Sequence, residues 1–219
     1  MNSYTPPQEP YAPVLFCDDH ILIANKPSGL LTVPGRGPEK ADCLYSRLQK
    51  QFPTVEVVHR LDMETSGIVL FALSKRAQSH LGKAFQQREV YKVYHALVSG
   101  YPKEQSGLID LALIADWPNR PKQKVDPEKG KPALTKWQIL EKREACSLIR
   151  LMPFTGRSHQ LRVHMQAIGH PILGDALYAP PEIIKLADRL QLHASFLSFT
   201  HPITHERVEF FTDLPFLRN

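Results

Sequence analysis

Runs of apolar and of alternating residues along the chain predict many short strands. The run at 68–73 is apolar without alternation, which is typical of a strand buried on both faces. Segments rich in β-branched and aromatic residues, bounded by turn-forming residues, predict the other strands. These segments are 14–16, 21–24, 55–58, 90–98, 108–114, 133–140, 147–152, 192–199 and 207–212.

Apolar residues four positions apart predict a smaller number of helices. Ser74 and Ser158 are suitable N-caps for two of them, and Gly169 is a suitable end for the second. The predicted helices lie near 42–52, 75–88, 159–169 and 181–190. Because most strands follow strands and the helices are interspersed, the pattern predicts an α+β fold with a largely antiparallel sheet.

No linker or shift in composition divides the chain. We therefore expect an N-terminal arm at 1–12 and one domain at 13–219. With 219 residues, 42% of them hydrophobic, the chain can bury a sizeable core, and no apolar run is long enough to cross a bilayer. The three cysteines have neither pairing nor zinc-ligand spacing, which favours free thiols in a reducing, cytoplasmic environment.

Basic residues are concentrated in two segments. The chain has a formal net charge of +5. The segment 117–136 has six lysines and arginines against two carboxylates, and the segment 150–169 has three arginines, two histidines and no carboxylate. Two such segments indicate a polyanionic partner, and nucleic acid is the best candidate.

A polar loop at 59–67 separates two predicted strands and carries the candidate catalytic side chains. A loop held between apolar strands is a frequent place for catalytic groups. Spacing alone slightly favours a simpler interpretation, in which the loop is a tight turn that satisfies its own backbone. The chain has no motif with metal-ligand spacing and no phosphate-binding loop, so a metal site and nucleotide hydrolysis are disfavoured.

Arg162 lies beside the expected core stripe of its helix. Leu161, Met165 and Ile168 form that stripe, and Arg162 is about a hundred degrees around the helix from Leu161. An arginine in this position is usually partly buried and needs a carboxylate. A structural ion pair is the commoner explanation, and a functional one stays open.

The motif His59-Arg60-Leu61-Asp62, followed by Thr65-Ser66-Gly67, resembles the catalytic motif of the RluA family of pseudouridine synthases. Further motifs of the family lie, in the family's order, at 25–30, 92–94, 156–164, 169–175, 192–194 and 201–202. Together the resemblance covers roughly residues 13 to 213. The segment 116–124 is most similar to the RluA subgroup itself, which acts on a tRNA anticodon stem-loop and a 23S rRNA hairpin loop.

The resemblance implies the pseudouridine synthase catalytic fold, with a central active-site cleft and without the small N-terminal RNA-binding domain of some relatives. It implies that Asp62 is the catalytic carboxylate, either as a nucleophile or as a base that removes a ribose proton. Tyr94 is expected to stack on the uracil. Arg162 is expected to favour the ionised carboxylate, and Thr65, Ser66 and Gly67 to form the turn that holds it.

The implied reaction isomerises uridine within RNA, so it needs no cofactor and no metal. The target base must leave its stack, and Arg60 is expected to fill the vacated space or to clamp a phosphate. We expect a monomer with no membrane partner. Two other functions stay open: a non-catalytic RNA-binding factor on the same scaffold, and a phosphohydrolase that uses His59 and Asp62. The remaining expected RNA-binding residues are Arg120, Lys122, Lys124, Arg157 and His159.

Overall fold

The computed structural model describes residues 4–217, and their strands alternate with a few helices along the chain. The strands are β1 (Val14–Cys17), β2 (Ile21–Lys26), β3 (Glu56–Val57), β4 (Ser66–Ala72), β5 (Tyr91–Ser99), β6 (Ser106–Asp110), β7 (Leu113–Ala115), β8 (Gln123–Val125), β9 (Leu134–Lys142), β10 (Cys146–Pro153), β11 (Leu192–Thr200) and β12 (Arg207–Phe211). The helices are α1 (Leu44–Gln49), α2 (Lys75–Gln87), α3 (Gln160–Ala167) and α4 (Pro181–Ile184), with 3₁₀ turns at Pro38–Lys40 and Trp117–Asn119. This arrangement, with a mixed but mostly antiparallel sheet, confirms the α+β prediction.

The chain divides into two compact units. Unit one contains the residues up to Tyr91 together with Ala194–Asp213. Unit two contains Lys92–His193 and the residues from Leu214 onward. The region predicted as one domain is thus divided into two groups of residues that pack internally.

Unit one is built around β4, whose seven residues are all buried, as the apolar run predicts. It pairs antiparallel with β2, from Ile21 opposite Ala72 to Lys26 opposite Gly67. Helix α2 begins at the predicted N-cap Ser74 and buries an apolar stripe against this layer. The buried core residues of the unit include Ile23, Leu70, Ala77, Leu81, Leu197 and Phe199.

In unit two, β5 pairs with β10, β10 with β9, and β9 with β6, all antiparallel. Helix α3 covers this sheet through Leu161 and Met165, with Ile168 partly buried beside them, so the predicted core stripe is confirmed. Strands β7 and β8 form a separate hairpin. The buried core residues around α3 include Ala96, Val98, Ile149, Leu151 and Ile172.

Three predicted elements differ from the structure. The strand expected at 108–114 is divided, because its first half pairs with β9 and its second half with β8. Strand β8 lies within the basic segment 117–136, where the sequence pattern predicts no strand before residue 133. The helix expected at 181–190 ends at Ile184. Ser158 is not the N-cap of α3: the cap is His159, in a left-handed conformation with φ of 54° and no side-chain capping bond.

The predicted N-terminal arm forms specific contacts with the rest of unit one through its described residues, 4–12; residues 1–3 lie outside the described part of the chain. The Tyr4 hydroxyl accepts a hydrogen bond from the Leu31 amide at 3.0 Å and donates one to the Asp42 carbonyl at 2.9 Å. Further along, the Tyr11 carbonyl accepts a bond from Arg47 at 2.9 Å. Within residues 4–217, no helix has the length and apolarity to cross a bilayer.

Candidate active site

Asp62 opens a tight turn in unit one. The Thr65 amide donates to the Asp62 carbonyl at 3.2 Å, so the turn runs from Asp62 to Thr65. The prediction that Thr65, Ser66 and Gly67 form the turn holds for Thr65 and is wrong for the other two, because Ser66 and Gly67 already belong to β4. Gly67 has a φ of 114°, and a Cβ there would lie 2.2 Å from the Ala194 carbonyl oxygen. Only glycine fits this close approach.

The backbone just before Asp62 is held by Thr32. The Thr32 hydroxyl donates to the Leu61 carbonyl at 2.8 Å and accepts from the Leu61 amide at 3.1 Å. Both residues are buried, with Thr32 only 2% exposed and Leu61 7% exposed. One side chain thus satisfies both polar backbone groups of the residue that precedes the candidate carboxylate.

The backbone just after Asp62 is held by residues of the same short segment, 26–32, which we call the anchor segment. The Met63 carbonyl accepts from the Lys26 ammonium at 2.8 Å and from the Gly29 amide at 3.0 Å. The Glu64 carbonyl accepts from the Ser28 hydroxyl at 2.7 Å. Asp62 itself is partly buried, and the anchor segment fixes the backbone on both sides of it.

Lys26 is fully buried, and backbone carbonyls accept hydrogen bonds from its ammonium. Its ammonium also donates to the carbonyls of Pro27 at 2.9 Å and Leu30 at 2.6 Å. Burial lowers the pKa of Lys26 to about 7, while the carboxylates of Glu64 and Asp62 oppose that decrease. Sequence reasoning placed this lysine in a motif but gave it no task, since Met63, its partner in the candidate loop, is 37 positions away.

His59 has a structural role within unit one. Its Nε2 accepts a hydrogen bond from the Leu70 amide at 2.9 Å, and its ring stacks on Phe85 with centroids 4.6 Å apart. The phosphohydrolase interpretation needs this imidazole as a metal ligand, and the bond to β4 already uses Nε2. Across residues 4–217, no group of three or more histidine, cysteine or acidic side chains is placed to hold a metal ion.

Arg162 in unit two has the carboxylate partner that its position on α3 requires. Its Nε and Nη2 donate to the two oxygens of Asp175 at 2.8 and 2.6 Å. Both side chains are buried, and Asp175 also accepts from the amides of Leu177 and Tyr178. Asp175 lies in the motif at 169–175, but spacing alone does not identify it as the partner of Arg162.

Tyr178 connects several expected RNA-binding elements within unit two. Its hydroxyl accepts from the Gln123 amide of β8 at 2.8 Å and forms a 2.6 Å hydrogen bond with His159. Its ring lies 5.1 Å from the Arg162 guanidinium carbon. The structure therefore brings together Arg162, His159 and the β7–β8 hairpin through a tyrosine that sequence reasoning missed.

Tyr94 lies on β5 opposite Leu151 of β10 and is partly buried against the core of unit two. It shares this unit with all the expected functional residues except two. Asp62 and the exposed Arg60 belong to unit one.

The expected phosphate-binding residues of unit two differ in exposure. Arg120 and Lys124 are exposed, whereas Lys122 and Arg157 are partly buried. The Arg157 side chain donates to the Pro132 carbonyl at 3.1 Å. Arg157 is therefore partly committed to holding the loop that precedes β9.

Comparisons with known proteins agree on one family. A family model described as RNA pseudouridylate synthase matches residues 20–167. The chain is similar to the dual-specificity RNA pseudouridine synthase RluA of Vibrio cholerae, at 54% identity over 94% of this chain and 84% of the relative. The protein of the same name from Escherichia coli strain K12 is 54% identical over 92% of this chain and 93% of its own.

Solved structures show the same likeness. Human RNA pseudouridylate synthase domain containing 1 matches with a TM-score of 0.80 and 31% identity, covering 97% of this chain and 87% of its own. Human RNA pseudouridylate synthase domain containing 4 matches with a TM-score of 0.76 and 25% identity, covering 93% and 88%.

Proposed function

The chain belongs to the RNA pseudouridylate synthase family, and we propose that Asp62 is the carboxylate with which it converts uridine in RNA to pseudouridine. As a pseudouridine synthase it is an isomerase. The observation that carries the proposal for Asp62 is the anchoring of its loop on both sides. Five hydrogen bonds with the anchor segment hold the backbone of Leu61, Met63 and Glu64, on the two sides of Asp62. A catalytic group needs such precise positioning.

The reaction conserves every atom of the substrate. The N1–C1′ bond of the uridine breaks, the uracil rotates, a C5–C1′ bond forms, and the C5 proton leaves as N1 takes up a proton. Asp62 acts either as a nucleophile on carbon or as a base toward the ribose, and both roles require the ionised carboxylate. Because nothing is oxidised or reduced, the reaction needs no cofactor.

We assign Tyr94 to the uracil, as a stacking ring that also assists loss of the C5 proton. Arg162 supplies a fixed positive charge to the site. Its bidentate pair with the buried Asp175 supports this role, because two of its nitrogens are fixed in one plane. A lysine could not be held in the same way, since its ammonium is a point charge on a flexible chain.

The proposed substrates are a tRNA anticodon stem-loop and a 23S rRNA hairpin loop. The dual specificity for which the relatives are named and the basic β7–β8 hairpin support this assignment. Flipping a uridine out of a loop costs only a few kcal/mol, least where pairing is absent. Arg60 fills the space that the flipped base leaves. The RNA is also contacted by Lys122, Lys124, Arg157 and His159. The enzyme acts as a monomer in the cytoplasm.

Release of tritium from RNA containing 5-³H-uridine tests the role of Asp62. Asp62→Asn should lower the rate by at least ~10³-fold, because an amide is neither a base nor a nucleophile. RNA binding and the urea midpoint should stay close to those of the wild type. Glu64→Gln is the matched control, since it removes another carboxylate of the same turn. Appreciable turnover by Asp62→Asn would remove Asp62 from the chemistry.

The substrate assignment has a separate test. Pseudouridines should disappear from specific positions of tRNA and of 23S rRNA in cells that lack the protein, and return with the wild-type gene. If Asp62→Asn binds the RNA but does not restore pseudouridine in these cells, the result supports a catalytic role. If that variant restores pseudouridine fully, the result favours a non-catalytic RNA-binding factor. Loss from only one of the two RNAs would contradict dual specificity.

A further inference from the structure

Trp117, at the tip of the β7–β8 hairpin, is unusually exposed. It leaves 66% of its surface open to solvent, whereas Trp137, the other tryptophan of the chain, is 6% exposed and lies in the core of unit two. An indole has a large apolar surface whose contact with water is unfavourable. An exposed tryptophan within an RNA-binding segment therefore suggests a ligand that stacks on it.

The turn that carries Trp117 is ordered by its own hydrogen bonds. The Asp116 amide donates to the Lys122 carbonyl at 2.9 Å, and the Lys122 amide donates to the Asn119 carbonyl at 3.0 Å. The Asn119 side chain donates to the Asp116 carboxylate at 2.9 Å. Because these bonds hold the turn, the indole can be presented to a ligand with little loss of conformational entropy.

Arg120 covers the indole instead of extending from the hairpin. Its guanidinium carbon lies 3.2 Å from the centroid of the Trp117 ring. Such stacking of a planar cation on an aromatic face is favourable and keeps the two groups together. Sequence reasoning expected Arg120 to follow the RNA backbone, whereas the structure makes it part of a flat, positively charged stack.

The surroundings of this stack suit a nucleic acid. The hairpin segment 116–124 has three cations and one carboxylate, and Lys124 is exposed. At its base, Leu113 is buried and the Gln123 amide is bonded to Tyr178, so the hairpin is fixed to unit two. An aromatic ring among cations is the usual arrangement for binding an unpaired, stacked base.

We propose that the Trp117 ring, backed by Arg120, stacks on an unpaired nucleobase in the loop of the RNA substrate. This inference rests on the proposed function and deepens it by assigning a base contact to a hairpin otherwise expected to bind phosphates. A base within a duplex has both faces covered by its neighbours. The contact therefore selects RNA with a single-stranded loop.

Binding measured at several salt concentrations tests the proposal with an RNA stem-loop and with a blunt duplex of the same stem. Trp117→Ala should weaken stem-loop binding by about 5- to 150-fold, the range for loss of one stacked base. The slope of log affinity against log salt should not change, because no phosphate contact is lost. Lys124→Ala is the matched contrast, and it should reduce that slope by about 0.9. Trp117→Phe, which keeps a ring, should lose less affinity than Trp117→Ala.

Tryptophan fluorescence supplies a direct readout, since Trp137 is buried. The stem-loop should quench the emission of the wild type, and Trp117→Phe should abolish that response. Unchanged affinity of Trp117→Ala for the stem-loop, or equal quenching by the blunt duplex, would overturn the stacking proposal. If either of these results were obtained while the wild type still released tritium from the stem-loop, only the stacking proposal would fail and the proposed function would stand. Absence of tritium release by the wild type would instead contradict the proposed substrate.

Discussion

Replacement of Thr32 by valine should loosen the loop that carries Asp62. Valine has nearly the shape of threonine, so the substitution leaves no cavity and removes only the hydroxyl. That hydroxyl makes both hydrogen bonds to the Leu61 backbone, at 2.8 and 3.1 Å. Since Leu61 is 7% exposed, water has little access to the amide and carbonyl that lose their partner.

The magnitude follows from these two backbone groups. Each buried polar group left without a partner costs about 1–3 kcal/mol, so the free energy of unfolding should fall by roughly 2–6 kcal/mol. This is a large part of the stability of a typical domain, about 5–15 kcal/mol. If the loop shifts by about 1 Å to recover a bond, catalysis should fall by about 100-fold even in the folded enzyme.

Thr32→Ser is the matched control, because it keeps the hydroxyl and loses one methyl group, worth roughly 0.8 kcal/mol. Urea unfolding gives the stability, and tritium release well below the melting temperature gives kcat. Equal urea midpoints and equal kcat for Thr32→Val and the wild type would refute the anchoring argument. Damage by serine without damage by valine would mean that the methyl group matters and the hydroxyl does not.

Two further predictions concern the buried charges. Burial lowers the pKa of Lys26 from its ordinary value of 10.5 to about 7 in the folded chain. Between these two pH values the unfolded chain therefore carries a proton that the folded chain has lost. The free energy of unfolding of the wild type should therefore rise with pH from about 7 to 10.5, by up to ~1.4 kcal/mol per pH unit, relative to Lys26→Met. Parallel pH profiles in urea melts of the two proteins would remove Lys26 as the source. Asp175→Asn should destabilise the chain by about 3–5 kcal/mol and lower kcat, because Arg162 is left buried without its carboxylate. The exposed Asp188→Asn should change stability by less than about 0.5 kcal/mol, and equal urea midpoints for the two variants would contradict the role of the pair.

Local patterns predicted the regular elements well where burial is one-sided or complete. The apolar run of β4, the N-cap at Ser74 and the stripe of Leu161 and Met165 all follow from periodicity and from the chemistry of neighbouring residues. The cap of α3 was misjudged because His159 adopts a positive φ, which a sequence pattern does not reveal. Strand β8 was missed because its polar, basic residues resemble a loop, and only pairing with β7 makes it a strand.

Part of the candidate site could likewise be predicted from the sequence, and part of it could not. A distinctive motif marks Asp62 in the sequence, and the charge of segment 117–136 indicates a polyanion. The motif does not say that Lys26, Ser28 and Thr32 hold the turn, since those contacts join residues that are about thirty positions apart.

The sequence by itself thus determined the fold class and the family and led to the proposal of Asp62 for the chemistry, because each depends on neighbouring residues or on a motif. Only the tertiary structure decided which groups satisfy one another. It anchored the turn from Asp62 to Thr65 from outside and gave Arg162 the partner Asp175. Buried polar groups and planar cations take whichever partner the packed chain brings within reach, and that choice is not local.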